Sequence, residues 1–231
     1  MQPSDESRRT GRFALVAGSL GIVGTGLLIA ALFAPTPAPN TMRRETVLFL
    51  WQDAFVILQA LAMIPVTLGL YRLTSERDRM SRKTCALGLI AQLGVVITTA
   101  LIFTDTVSDM LYMGAIGVVG IWVFLVNRPS VALTTSKVAW AGRVAALGLL
   151  LVGLGFLIYG ALVAPTVFVR PLTTAEIDAQ SLTPANLISH LCLAAGTLLG
   201  RVLYPIWTLL LGRTLLRLSE RQTIEAAPAV V

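Results

Sequence analysis

Six apolar runs, near residues 13–33, 46–70, 85–103, 110–127, 139–163 and 187–212, take up most of this chain. Each is close to the ~20 residues that an α-helix needs to cross about 30 Å of hydrocarbon. No water is available there to satisfy backbone N–H and C=O groups, so such a run has to be helical. Composition agrees, since 55% of the 231 residues are apolar and 13% are charged, whereas soluble domains carry about 25% charged residues. The expected fold is all-α: one polytopic membrane helix bundle over 1–231, with six transmembrane helices arranged as three hairpins. This excludes a large soluble catalytic domain and a disulfide-built secreted module.

The basic residues read as topology signals. Arg8, Arg9 and Arg12 precede the first run, Arg72, Arg77, Arg79, Arg82 and Lys83 follow the second, Arg128 and Lys137 follow the fourth, and Arg213, Arg217 and Arg221 follow the sixth. The opposite side holds only Arg43, Arg44 and Arg170. Arg and Lys mark the cytoplasmic side, so both termini are expected in the cytoplasm of a bacterial inner membrane, with 218–231 a flexible cytoplasmic tail. The net charge of +6 is spread beside apolar runs rather than gathered in one patch, so nucleic acid is not an expected partner. The first run, about 21 residues long, exceeds a signal-peptide core of 7 to 15 residues and reads as a retained helix.

Rare residues narrow the chemistry further. A single histidine, His190, supplies neither a three-His metal site nor a bis-His haem. Cys85 and Cys192 fall near opposite faces and form no CxxC, which removes a thiol-oxidoreductase reading and a disulfide between them. Lys83 and Lys137 lie in loops, and the fourth run has no serine for an intramembrane Ser-His dyad. No metal or cofactor is expected, and an enzymatic role has the least support. Its one motif is the DxxxD spacing of Asp105 and Asp109.

Polar residues inside the runs carry the functional expectation. An ionisable group at a helix centre costs ~2.5 to 3.5 kcal/mol on insertion scales and usually faces the bundle interior. Asp53 stands near the outer start of the second run, Arg201 near the centre of the sixth and His190 near its outer end. At 100° per residue, His190, Ala194, Thr197, Arg201, Tyr204 and Thr208 fall within about 40° of one direction. Gln52, Asp53, Gln59 and Thr67 form an arc on the second helix, and Cys85, Gly88, Gln92 and Thr99 align on the third. The candidate binding seam is therefore Asp53, Arg201, His190, Gln59, Gln92 and Thr197. The Asp53 and Arg201 α-carbons lie roughly 7 to 10 Å apart in depth, within reach of a direct or water-bridged pair, and Asp53 with His190 is an alternative contact. Gly196 and Gly200 form a GxxxG, and Gly18, Gly21 and Thr25 give the first helix a small-residue face, so both are expected at close helix crossings.

VGTGLLI at Val23–Ile29 matches VGLGFLI at Val152–Ile158 at five of seven positions, and ALFAP at Ala31–Pro35 matches ALVAP at Ala161–Pro165 at four of five, as a repeated hairpin would. Ile121-Trp122 before Arg128 and Ile206-Trp207 before Arg213 read as interfacial anchors. The outer loop 164–186 reads as carrying a short interfacial helix, with starts capped by Thr174 and Thr183. With Asp53 near the start of the second helix and GIWVFLVNRPSVALTTSKVAWAGRVAALGLLLVGLGFLIYG over 120–160, the chain resembles small bacterial six-helix membrane proteins grouped only as domains of unknown function. That resemblance implies a fold and no activity.

Three roles follow as expectations. The first is a non-enzymatic protein that binds a lipid or small molecule in the seam, or acts as an accessory to a membrane-protein partner or a second copy of itself. The second is a proton-coupled secondary transporter with its site at Asp53 and Arg201, and the third an intramembrane enzyme.

Overall fold

The computed structural model describes residues 3–33, 47–75, 80–102, 108, 110–128, 135–170, 172, 176, 180 and 183–226. All of the regular structure among them is helical. The helices are α1 (Pro3–Leu32), α2 (Val47–Ser75), α3 (Arg82–Ile102), α4 (Tyr112–Val126), α5 (Ser136–Leu162), a 3-10 turn at Pro165–Phe168, α6 (Pro184–Gly196), a π-helical segment (Thr197–Arg201) and α7 (Val202–Ala226). The last three run on as one continuous helix. Asp105, Asp109, Thr174, Asp178, Arg43 and Arg44 lie outside the described residues.

Five helices are long and apolar enough to cross a membrane, and the sixth, α4, is shorter at 15 residues. Sequence places the α4 span at 110–127. Its first turn is instead wound tightly, with Met113 N–H donating to the Met110 carbonyl at 3.0 Å and Gly114 N–H to Leu111 at 3.2 Å.

The outermost helices extend further than the apolar runs suggest. α1 begins at Pro3 with Asp5 and Glu6 in its first turn, where carboxylates complement the helix dipole. Beyond the apolar run, Ser7 Oγ donates to the Leu215 carbonyl at 2.9 Å and Arg72 Nη1 donates to Glu6 Oε1 at 3.1 Å. α7 likewise continues through Ala226, where the sequence suggests a flexible tail from 218. The starts of α1 and the ends of α2 and α7 thus meet at one end of the bundle. Polar side chains end an apolar run in a hydropathy reading, but they do not end a helix that still has neighbours to pack against.

Each helix packs on the next in sequence, and α1 also packs on α7, which closes the bundle into a ring. Small residues set the crossings. A Cβ on Gly148 of α5 would overlap the backbone of Gly200, one on Gly196 would lie 2.6 Å from Val152 N, and one on Gly117 of α4 would lie 2.8 Å from Gly153 Cα of α5. The GxxxG of the last helix is therefore a crossing with α5, and Gly18 of α1 meets Pro205 and Leu209 of α7. α1 and α5, which carry the matching sequences, are the two flanking neighbours of the last helix.

Apolar side chains cover the outside of this ring. Ile22, Leu58, Ile90, Ile97, Ile121, Phe124, Leu147 and Leu157 are all exposed, while Gln52, Asp53, Thr67, Gln92, Thr99 and Thr208 are buried. Soluble monomers rarely expose contiguous apolar patches larger than a few hundred Å². Lipid is the solvent in which this distribution costs little.

Two of the tryptophans differ from the sequence reading. Trp122 and Trp207 are fully buried and meet edge-on, with ring centroids 6.3 Å apart. They are not anchors on the lipid surface, because their helices turn Ile121, Phe124 and Ile206 outward instead. The exposed tryptophans are Trp51 and Trp140.

Candidate functional site

The local chemistry of the last helix begins with a proline. Pro205 has no N–H, so the carbonyl four residues before it, that of Arg201, loses its helical donor. Thr25 of α1 replaces that donor, its Oγ1 donating to the Arg201 carbonyl at 3.0 Å. The helix widens into its π segment at the same place, over Thr197–Arg201. Isolated π segments recur at functional sites.

Widening also changes which residues look inward. An extra residue per turn rotates everything that follows it by about 100° relative to a straight α-helix. The stripe expected from His190 to Thr208 is therefore split. Tyr204 and Thr208 are buried, Thr197 and Arg201 are half-buried, and His190 and Ala194 are exposed. Before the π segment the buried face is Asn186, Ser189 and Gly196, which leans on α5.

Arg201 reaches two neighbouring helices. Its Nη1 donates to the Tyr112 hydroxyl of α4 at 3.0 Å, with the guanidinium 5.4 Å from the centre of that ring. Its Nη2 donates to Gln52 Oε1 of α2 at 2.9 Å, while Gln52 Nε2 donates to Asp53 Oδ1 at 3.2 Å. The network fixes the amide orientation, because the reverse would set the amide oxygen against the carboxylate and its nitrogen against the guanidinium. Charge pairing between Asp53 and Arg201 is thus relayed through one neutral amide. Neither Gln52 nor Tyr112 is among the candidates read from sequence. Gln52 has a signal there, as the neighbour of Asp53 on the polar arc, whereas Tyr112 reads only as part of an apolar run.

Below this network lies a cavity to which every helix of the ring contributes. Thr25 comes from α1, Gln59 from α2, Gln92 from α3, Ile116 from α4, Leu149 from α5, and Arg201 with Tyr204 from the last helix. About 50 Å³ of this cavity can hold the centre of a water molecule. The partners of Arg201, Gln52 and Tyr112, stand one helical turn before the wall residues Val56 and Ile116. The guanidinium therefore stands at the end of the cavity nearer Gln52 and Tyr112. At the other end, the Tyr204 hydroxyl accepts from Gln92 Nε2 at 3.2 Å and its ring stacks on Trp207 at 5.8 Å.

A polar lock holds the aromatic floor in place. Trp207 Nε1 donates to Asn127 Oδ1 at 3.1 Å, Asn127 Nδ2 donates to the Val123 carbonyl at 2.8 Å, and Arg143 Nε donates to the Asn127 carbonyl at 3.0 Å. Among the described residues, Gln59 Nε2, Thr99 Oγ1 and Trp122 Nε1 are buried without a hydrogen-bond partner. Only the first of these belongs to a residue in the cavity wall. Leaving a buried donor unpaired costs about 1 to 3 kcal/mol.

Of the sequence candidates, Arg201, Gln59 and Gln92 share the cavity, and Asp53 joins it through Gln52. Thr197 sits in the π segment outside the wall. His190 stands apart, its Nδ1 donating to the Asn186 carbonyl at 2.8 Å and its ring edge-on to Tyr159 at 6.1 Å, with no contact to Asp53. Near the same end, Arg170 donates to Glu176 at 3.0 Å, and that hydrogen bond and charge raise the Arg170 pKa above its ordinary value. Thr183 caps α6 as expected, its Oγ1 accepting from Asn186 N–H at 3.2 Å. No three His, Cys, Asp or Glu side chains among the described residues converge in a way that could hold a metal ion.

No protein-family model, no curated protein and no solved structure matches this chain.

Proposed function

We propose that this chain is a polytopic protein of a bacterial inner membrane, with both ends cytoplasmic, that binds a small polar molecule in the cavity enclosed by its helices. It acts as a binding or accessory protein rather than an enzyme. The observation that carries this reading is the convergence of Arg201, Gln59, Gln92 and Tyr204 on one cavity between helices whose outer surfaces are apolar. Ionisable and polar side chains at such depth are costly and tend to mark ligand or ion pathways. The resemblance to uncharacterised six-helix proteins belongs to this reading and adds no activity to it.

Native mass spectrometry of the chain in mild detergent tests the proposal. A small molecule retained by the wild type and lost in Arg201→Gln supports it. An empty wild-type chain, or a ligand equally retained by both, overturns it. Cysteine-accessibility mapping tests the orientation, with residues beside Arg8 and Arg217 expected to react only from the cytoplasmic side.

A second reading is a proton-coupled transporter using Asp53 and Arg201. The interruption of the last helix at Arg201, with its carbonyl taken by Thr25, favours it, since transporter sites are commonly built where a membrane helix is broken. Uptake into vesicles that disappears in Asp53→Asn is the expected signature, and uptake unchanged in that variant overturns this reading.

A further inference from the structure

The chemistry of the cavity wall identifies the class of molecule it takes. We infer that this cavity is a site for a small hydrogen-bond-accepting anion of the size of a short carboxylate or nitrate; the inference rests on the binding role proposed above.

Donors prevail in the wall. Arg201 spends two N–H groups on Tyr112 and Gln52, leaving three of the five a guanidinium carries. Both partners are neutral, and among the described residues no carboxylate contacts the guanidinium directly. Gln59 presents a buried Nε2 with no partner. The Tyr204 oxygen is already an acceptor for Gln92, which leaves its own O–H to give. A guanidinium, an amide N–H and a hydroxyl around one space complement an oxyanion or halide, and hydrogen bonds to a charged acceptor are roughly twice as strong as neutral ones.

Size narrows the class. At 10 to 15 Å³ per water centre, the roughly 50 Å³ that admits water centres holds about three to five heavy atoms. Formate, acetate, nitrate and chloride fit within it, whereas an acyl chain or a sugar acid would have to extend beyond it. Gly21 of α1 gives the Gln59 amide its place in the wall, because a Cβ there would overlap that amide and lie 2.7 Å from Pro205 Cγ. The remaining wall is largely apolar, with Val56, Val95, Ile116, Val119 and Leu149 around the polar groups, and a hydrogen bond in such low-dielectric surroundings is stronger than in water.

The test is the melting temperature of the full chain in mild detergent, titrated with sodium formate, acetate, nitrate or chloride at ionic strength held constant with gluconate. Acetamide serves as the neutral isostere of acetate. At least one of the small anions is expected to raise the melting temperature saturably, with gluconate and acetamide inactive. In Arg201→Gln the apparent affinity should fall about tenfold or more, the loss expected when a charge-assisted contact becomes a neutral one. In Gln59→Met the ligand-free protein should melt no lower than wild type, since an unpaired donor is removed, while the anion response weakens.

The outcomes separate the two readings. Stabilisation by acetamide as strong as by acetate overturns the anion assignment and leaves a neutral polar ligand in the same cavity. No shift with any of these solutes, together with an empty native mass spectrum, overturns both. If Arg201→Gln does not fold, Gln59→Met decides, and an unchanged anion response in it overturns the inference.

Discussion

Gln52 holds Arg201: the amide oxygen of one accepts from the guanidinium of the other at 2.9 Å, and the far side of that amide reaches Asp53. A charge on the last helix is thereby tied to a charge on the second without the two touching. Because Gln52 is a shared partner, substitutions at Asp53 and Arg201 should not add. Asp53→Asn and Arg201→Gln are each expected to destabilise the detergent-solubilised protein, with a coupling of about 0.5 to 3 kcal/mol between them. Gln52→Leu should remove most of that coupling. Thermal unfolding of the three-way set checks this, and additive losses would mean that the relay carries no energy.

Thr25 and Pro205 form a second linked pair. Thr25→Val deletes the donor to the Arg201 carbonyl and should cost about 1 to 2 kcal/mol. In a Pro205→Ala background the restored N–H serves that carbonyl, so the same Thr25→Val change should cost clearly less. Equal costs in both backgrounds would show that the carbonyl finds another partner.

Glycine substitutions should separate by what lies opposite. Gly148→Ala drives a methyl into the Gly200 backbone and is expected to lower stability by about 1 to 3 kcal/mol or prevent folding. Gly26 has nothing within 4 Å of an added Cβ. Gly26→Ala should therefore be neutral or stabilise by roughly 0.5 to 1 kcal/mol, through helix propensity alone. Melting temperatures of the two variants in one detergent make the comparison.

Tryptophan fluorescence distinguishes the buried pair from the exposed one. Trp51 and Trp140 stand on the outside of the ring, at 58% and 65% exposure, whereas Trp122 and Trp207 are sealed inside. In vesicles containing brominated lipid, single-tryptophan variants retaining Trp51 or Trp140 should be quenched and those retaining Trp122 or Trp207 should not. Trp207→Phe also abandons the Asn127 oxygen and should cost about 1 to 3 kcal/mol.

Much of this architecture is legible in the sequence because hydrophobicity acts on whole segments. The apolar runs locate the helices, and the spacing of Cys85, Gly88, Gln92 and Thr99 identifies the inward face of α3, all of it buried in the bundle. Small residues at Gly18, Gly196 and Gly200 likewise mark real crossings. What fails is anything that needs the straight-helix period to persist. The π segment breaks the register between His190 and Tyr204, so a stripe that is continuous on paper is discontinuous in space. Trp122 and Trp207 mislead for another reason: the same amphipathic ring that suits a headgroup boundary also suits a buried hydrogen-bonded plug, and the choice is made by Asn127 and Gly88 on other helices. Gln52 and Tyr112 acquire their roles only through the reach of Arg201.

The closure of the ring by its first and last helices has a consequence for biogenesis. During synthesis α1 to α5 leave the ribosome well before α6 and α7, so Gln52, Asp53, Gln59 and Gln92 enter the bilayer while the wall that completes their surroundings is still unmade. A nascent chain arrested before Pro184 would carry these polar groups with neither Arg201 nor Tyr204 opposite them. The cavity is in this sense the last part of the protein to come into being, and the same unshielded side chains would mark an unfinished chain for membrane proteases.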